Sequence, residues 1–194
     1  TAISVDTYVQ GVHFIDSSDP KKFLKRVLRA SLSDLYCKGI RPKAYFLSFA
    51  LNKKTVKSIW LKKVKNILNS EQKKFKIFLA GGDTTYSSKF VITIIVLGLS
   101  NNKPVLRNTC KLNNDIYVTG NIGDSYLGLS ILKKKKNYGR FNNYFKKKYY
   151  EPDLPIKISS QLNKIASSSI DISDGLALDL RHLCDNPKLG AFID

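Results

Sequence analysis

The sequence predicts an α/β protein. Three observations predict it: β-branched runs of strand length, amphipathic segments of helical period between them, and a strand–helix–strand–helix–strand–strand order that ends near residue 110. The clearest strand is "FVITIIVLGLS", and the clearest helix is "TVKSIWLKKVKNILNS".

In chain order, "AISV" is read as the first strand, ending at Asp6, and "DTYVQGVHF" as a turn-rich stretch carrying Gly11 and His13. "DPKKFLKRVLRASLSDLYCKG" is expected to be a helix, with Asp19 as N-cap, Pro20 in the first turn and Gly39 just past its end. "AYFLSFAL" is the next strand. The helix starting at Thr55 then puts Val56, Ile59, Trp60, Val64, Ile67 and Leu68 on one side. "FKIFLAGG" and "FVITIIVLGLS" complete the first unit, residues 1–112. A second unit, 113–194, is read as a strand at Asp115–Thr119, a glycine loop and a helix from about Asp124. Residues 133–150, "KKKKNYGRFNNYFKKKYY", form either a solvated connector or an aromatic-interleaved basic patch for single-stranded nucleic acid. "LPIKISSQLNKIA" is a short helix leading to "SSSIDISDGLALDL", whose last helix opens at Asp174.

Composition narrows the classes. The 194 residues are 43% hydrophobic and 25% charged, ordinary values for a globular chain. No apolar run reaches the ~18–20 residues that cross a bilayer. Cys37, Cys110 and Cys184 have no zinc or redox spacing, which fits reduced thiols in the cytoplasm. The net charge of +18 invites a nucleic-acid reading, but only six of the 33 basic residues are Arg, and Arg is the better fork for phosphates and bases. A compositional Lys bias accounts for the charge, so no nucleic-acid and no membrane partner is expected. The opening "TAISVDTYV" and the absence of Met lead us to expect an interior piece of a longer chain.

Aspartates recur at the ends of apolar runs. Asp6 follows "AISV", Asp83 follows "IFLAGG", Asp171 follows "SSI", and Asp174 opens a helix. Asp34 falls on the stripe of Phe23, Val27 and Ala30, where an ionised carboxylate is costly unless paired or metal-bound. Each has an ordinary reading alone, as a turn residue, a helix cap or the partner of one lysine. Yet Asp6, Asp34, Asp83 and Asp171 have no lysine within two positions, in a Lys-rich chain. Carboxylates brought within about 5 Å repel by several kcal/mol at an effective dielectric near 20. Such a cluster calls for cations, and oxygen-only ligands suit Mg²⁺. Neither a P-loop nor a G-x-G-x-x-G is present, so a bound nucleotide would depend on carboxylate-held metal, with "AGGDTT" read as a glycine turn beside it.

The motifs "ISVDTYVQGVHF", "SLSDLYCKG", "AGGDTTYS", "LRNTCKLNNDIYVTGNIGDSYLGLSIL" and "IDISDGLALDL" stand in an order that resembles the thiamine-monophosphate kinase family, over essentially the whole chain. That family belongs to the superfamily of aminoimidazole ribonucleotide synthetase and selenophosphate synthetase. The resemblance implies a two-domain fold, an N-terminal mixed sheet with helices and an α/β C-terminal domain that is incomplete here. It implies ATP-dependent conversion of thiamine monophosphate to thiamine diphosphate in a homodimer, with nucleotide near the pairing interface. Position by position, it implies Mg²⁺ ligands at Asp6, Asp34, Asp83, Asp171 and Asp174, with Ser4 as an additional one. Asp171 and Asp174 are implied to be catalytic, Gly82, Asp83, Arg107 and Ser173 to contact ATP, and His13 to contact the thiamine phosphate. Val5 stands where the family often carries a hydroxyl, and glycine-acidic motifs expected upstream and downstream are missing. Two other readings are another ATP-dependent enzyme of the superfamily and a basic nucleic-acid module built on 133–150.

Overall fold

Alternating burial along one strand shows how the sheet is covered. In β1 (Ala2–Val9) the even positions Ala2, Ser4, Asp6 and Tyr8 are sheltered, while Ile3, Val5 and Thr7 are exposed. The computed structural model describes residues 1–52, 56–185 and 187–193. β1, β2 (Arg41–Leu51), β3 (Phe78–Tyr86) and β4 (Val91–Leu99) form a mixed sheet in the order β1-β4-β2-β3. β4 is antiparallel to β1 and β2, and β2 is parallel to β3. Helices α1 (Leu24–Tyr36) and α2 (Ser58–Phe75) supply the crossovers, and their apolar stripes meet one face of the sheet. The core between them includes Leu28, Leu32, Tyr45, Ile92 and Ile94, all without solvent contact.

Several boundaries depart from the sequence reading. The first strand does not stop at Asp6, which lies inside β1 and faces α1. "AGGDTT" is not a turn but the middle of β3. Its glycines serve strand packing, since a Cβ on Gly82 would collide with the Leu47 carbonyl of β2. Asp19 caps a 3-10 turn (Pro20–Lys22) ahead of α1, accepting the Lys21 N–H at 3.3 Å. The expected start of the second helix, Thr55, lies outside the described residues, and α2 runs on to Phe75.

Residues 115–119 form no strand, with Ile116, Tyr117 and Val118 exposed and no described strand beside them. α3 (Asp124–Leu132) forms as expected, whereas 133–150 is more than a connector and contains α4 (Asn142–Tyr150). Gly128 of α3 lets the Phe145 carbonyl of α4 approach where a Cβ would stand. The short helix expected near 154–166 is two pieces, α5 (Ile156–Ser159) and α6 (Leu162–Ile165), and α7 (Leu176–Asp185) closes the order.

The later helices are fastened to α1 by arginines. Arg26 donates to the Tyr149 carbonyl at 3.1 Å and lies 4.1 Å over the Tyr149 ring. Arg29, 3% exposed, makes a two-pronged pair with Glu71 of α2 at 2.7 and 2.9 Å and donates to the Pro152 carbonyl at 3.1 Å. α1 is therefore held from three sides. That rigidity matters because α1 carries Asp34.

Candidate active site

The C-terminal half of α1 faces an open cleft of about 1040 Å³. Its walls come from the start of β1, the 104–108 segment and the 170–185 segment, and it is lined in part by Ser4, Asp34, Lys38, Arg107, Asp171 and Asp174. The far wall is tied down by a backbone bond from the Ser169 N–H to the Leu106 carbonyl at 3.1 Å and by the Thr109 hydroxyl, which donates to the Ser167 carbonyl at 2.5 Å.

Two carboxylates on this cleft are held by serines. Ser4 of β1 donates to Asp34, and Ser33 of α1 donates to Asp171. Burial pushes the Asp34 carboxyl up to about 6, and the neighbouring Asp171 and Asp6 charges push in the same direction, against the Ser4 hydrogen bond. Asp6 and Asp171 thus each lie close enough to Asp34 to repel its charge. Asp6 shows the cost directly: its Oδ2 is buried without a hydrogen-bond partner, one of two such side-chain atoms among the described residues, the other being the Tyr45 hydroxyl. A buried unpartnered carboxylate oxygen among like charges is the arrangement that a bound cation relieves, and the donors are all oxygen, as Mg²⁺ requires.

Tyr8, next on the same face of β1, bonds Ser31 at 3.0 Å. Burial raises its hydroxyl well above the ordinary range, and the Asp6 and Asp34 charges add to the effect. The edge of its ring meets His13 at 5.9 Å between centroids. His13 is exposed on the turn after β1, its Nδ1 accepting the Val9 N–H at 3.0 Å, and the turn is anchored by Phe14 stacked on Phe23 at 4.9 Å. His13 is thereby linked to the acidic cluster through Tyr8, although it does not line the cleft.

The expected site residues fall into two groups. Ser4, Asp34, Arg107, Asp171, Ser173 and Asp174 border the cleft, and Asp6 sits beside Asp34 just behind it. Gly82 and Asp83 do not. Asp83 pairs with Ser48, Ser48 with Thr93, and Thr93 with Thr7. Directly paired residues share a face, so Asp83 points with exposed Thr7 to the open side of the sheet, opposite to Asp6. Three strand spacings, about 14 Å, separate it from β1. Its side chain accepts the N–H of its own neighbour, Thr84, at 2.7 Å.

The sequence reading missed two residues. Lys38, one turn after Asp34, lines the cleft, donates to the Ser169 carbonyl and is attracted by Asp171 and Asp34. Burial nevertheless lowers its ammonium below the usual lysine value. The i, i+4 spacing from Asp34 was the available signal. Asp179 is 2% exposed and takes three backbone N–H groups, those of Ser173, Asp174 and Gly175, at 2.9, 3.0 and 3.1 Å. Its local sequence, Leu-Asp-Leu, does not set it apart from any polar residue on a helix.

Residues 1–100 match the family model described as AIR synthase related protein, N-terminal domain. The thiamine-monophosphate kinase of Buchnera aphidicola subsp. Schizaphis graminum is 40% identical over 197 residues, an alignment that takes in 100% of this chain and 60% of that protein. The crystal structure of thiamine monophosphate kinase from Aquifex aeolicus superposes with a TM-score of 0.87 at 26% identity, over 95% of this chain and 63% of that one. AaThiL complexed with AMPPCP and TMP shares the fold, with a TM-score of 0.84 at 24% identity, over 96% of this chain and 60% of that one. The chain spans about 60% of the length of the curated relatives it matches.

Proposed function

The chain belongs to the AIR synthase related family, and from that premise we propose that it carries the nucleotide and metal site of a thiamine-monophosphate kinase. The reaction is transfer of the ATP γ-phosphoryl group to thiamine monophosphate, giving thiamine diphosphate and ADP. The single observation that carries this reading is that Asp34 feels the charges of both Asp6 and Asp171, and that the buried Oδ2 of Asp6 has no hydrogen-bond partner. The resemblance of this chain, from end to end, to 60% of the length of curated thiamine-monophosphate kinases supports the choice of acceptor over others in the superfamily.

Asp34, Asp6 and Asp171, with Ser4 and Asp174, would hold Mg²⁺, which when bound supplies neutralisation of charge on the transferring phosphoryl group. The remaining work falls to the chain's own residues. Thiamine monophosphate is a phosphate monoester with a second pKa of about 6, so at neutral pH it is already an ionised nucleophile and needs no general base. What it needs is relief from repulsion and alignment in line. Lys38 and Arg107 give the cleft two cations suited to a polyanion. Ser173 serves the nucleotide, and His13, steadied by its bond to the Val9 N–H, serves the thiamine phosphate.

We also assign a homodimer in the cytoplasm, and a division into units 1–112 and 113–194. Ile3 and Val5, 62% and 61% exposed on the open face of the sheet, support pairing there. Asp83 faces the same side, which suits a nucleotide bound near that interface. Among the described residues no helix is long and apolar enough to cross a membrane.

The test is ADP release by the protein in its natural full length. Thiamine monophosphate should stimulate it in a Mg²⁺-dependent way, and Asp34→Asn should lower kcat/KM at least about a hundredfold. Equal stimulation by unrelated phosphate acceptors, or an active Asp34→Asn, would refute the assignment. The basic-module alternative predicts instead salt-sensitive binding of single strands that survives this substitution.

A further inference from the structure

Asp179 is more deeply buried than any carboxylate that borders the cleft apart from itself, and it faces no cation among the described residues' ion pairs. A carboxylate removed from water is expensive unless its lone pairs are filled. Here Oδ2 alone accepts the N–H groups of Ser173, Asp174 and Gly175, at 2.9, 3.0 and 3.1 Å. Charge-assisted bonds of this kind are about twice as strong as neutral ones. Three converging on one oxygen fix the turn that the chain makes before α7. Gly175 takes φ +118°, a conformation that disfavours every other residue, and its carbonyl accepts the Asp179 N–H at 3.0 Å. The turn and the first helical turn therefore clamp each other from both sides.

The clamped residues are the ones that the proposed site uses. Ser173 and Asp174 open onto the cleft, and Asp174, Asp179 and His182 present ligand atoms within 4.8 Å of one another. Proximity alone would cast Asp179 as a metal ligand. Its hydrogen bonds point first to another role, because Oδ2 already accepts three N–H groups and has no lone pair to direct at an ion, which leaves Oδ1 alone to face one.

We infer that Asp179 is a positioning residue, a buried anionic clasp that holds the Ser173–Asp174–Gly175 turn so that Ser173 and Asp174 meet the metal-bearing tail of the nucleotide. This rests on the kinase-site reading for the role of the turn, but the clasp itself is independent of it. Asp179→Asn keeps an oxygen acceptor at the same place, whereas Asp179→Ala removes it.

The experiment uses the full-length protein in two arms. In the first, amide hydrogen exchange is followed without metal at residues 173–175. The clasp predicts exchange at least about tenfold faster in Asp179→Ala, with protection restored in Asp179→Asn. Unchanged protection in Asp179→Ala overturns the proposal. In the second, the Mg²⁺ concentration for half-maximal rate should rise about tenfold in Asp179→Ala, and kcat/KM should fall about 10–100-fold, with Asp179→Asn within about threefold of the parent. If Asn is as damaging as Ala while the amides stay protected, Asp179 is a ligand and the clasp is wrong. A lower Tm with intact kinetic constants in Asp179→Ala also overturns it. Should Asp179→Ala not fold, Asp179→Ser replaces it, since a hydroxyl is too short to span three amides. Asp174→Ala is the control: full activity there sinks the kinase-site reading, while the exchange arm still decides the clasp.

Discussion

Asp34 is where the physical cost and the proposed chemistry meet. Its carboxyl is raised to about 6, first by burial and then by Asp171 and Asp6, against about 3.9 in an unfolded chain. A raised carboxyl binds more protons folded than unfolded. Its contribution to stability is fully present below about 4 and is lost as pH rises through about 6. Without metal, Asp34→Asn should therefore raise Tm relative to the parent at pH 8, and the gain should shrink towards pH 4. Adding Mg²⁺ at pH 8 should stabilise the parent and not the variant. Thermal unfolding across that range checks both, and a difference independent of pH would mean that Asp34 is not electrostatically stressed. The helical stripe of Phe23, Val27 and Ala30 made Asp34 legible as a misplaced acid. Asp6 was legible as an acid but not in its setting, because strand ends are set by ladder partners that a single segment does not reveal. Asp179 was illegible, since nothing local distinguishes a helix acid that reaches back to three amides from one that faces solvent.

At the scale of elements, α1, α2, β1, β2 and β4 follow from periodicity, because each hides one face against the same core, whereas β3 is exposed along nearly its whole length. The exceptions are informative. "AGGDTT" had the composition of a turn, yet Gly82 lies in a strand because β2 comes too close for a side chain. Residues 115–119 had the composition of a strand, yet form none, because a strand is a property of a pair. β1 makes a prediction of its own kind. Its open side carries Ile3 and Val5, and β4 continues that side with Ile95 and Leu97. If this apolar face mediates the homodimer, Ile3→Lys with Val5→Lys should convert the full-length protein to a monomer in sedimentation. The inner face is untouched, so far-UV circular dichroism should be retained. A dimer that survives both lysines would require another interface.

Over the whole molecule, α1 joins the parts. It packs on the sheet, is pinned to α2 through Arg29 and Glu71 and to α4 through Arg26, and ends at the acidic cleft. Acids from two distant stretches, at 6 and 171, come to either Asp34 or its neighbour Ser33 because β1 and α1 are neighbours and the 167–171 segment is tied back beside them. Asp83 stays apart, on the open face of the sheet. The most direct measurement is anomalous diffraction from crystals of the full-length protein grown with Mn²⁺ and a non-hydrolysable ATP analogue. The account predicts a metal peak about 2.1 Å from carboxylate oxygens of Asp34 and at least one of Asp6 and Asp171, with the analogue's phosphates on its open side. Phosphates bound in the cleft with no metal at these carboxylates, or a metal held only elsewhere, would contradict it.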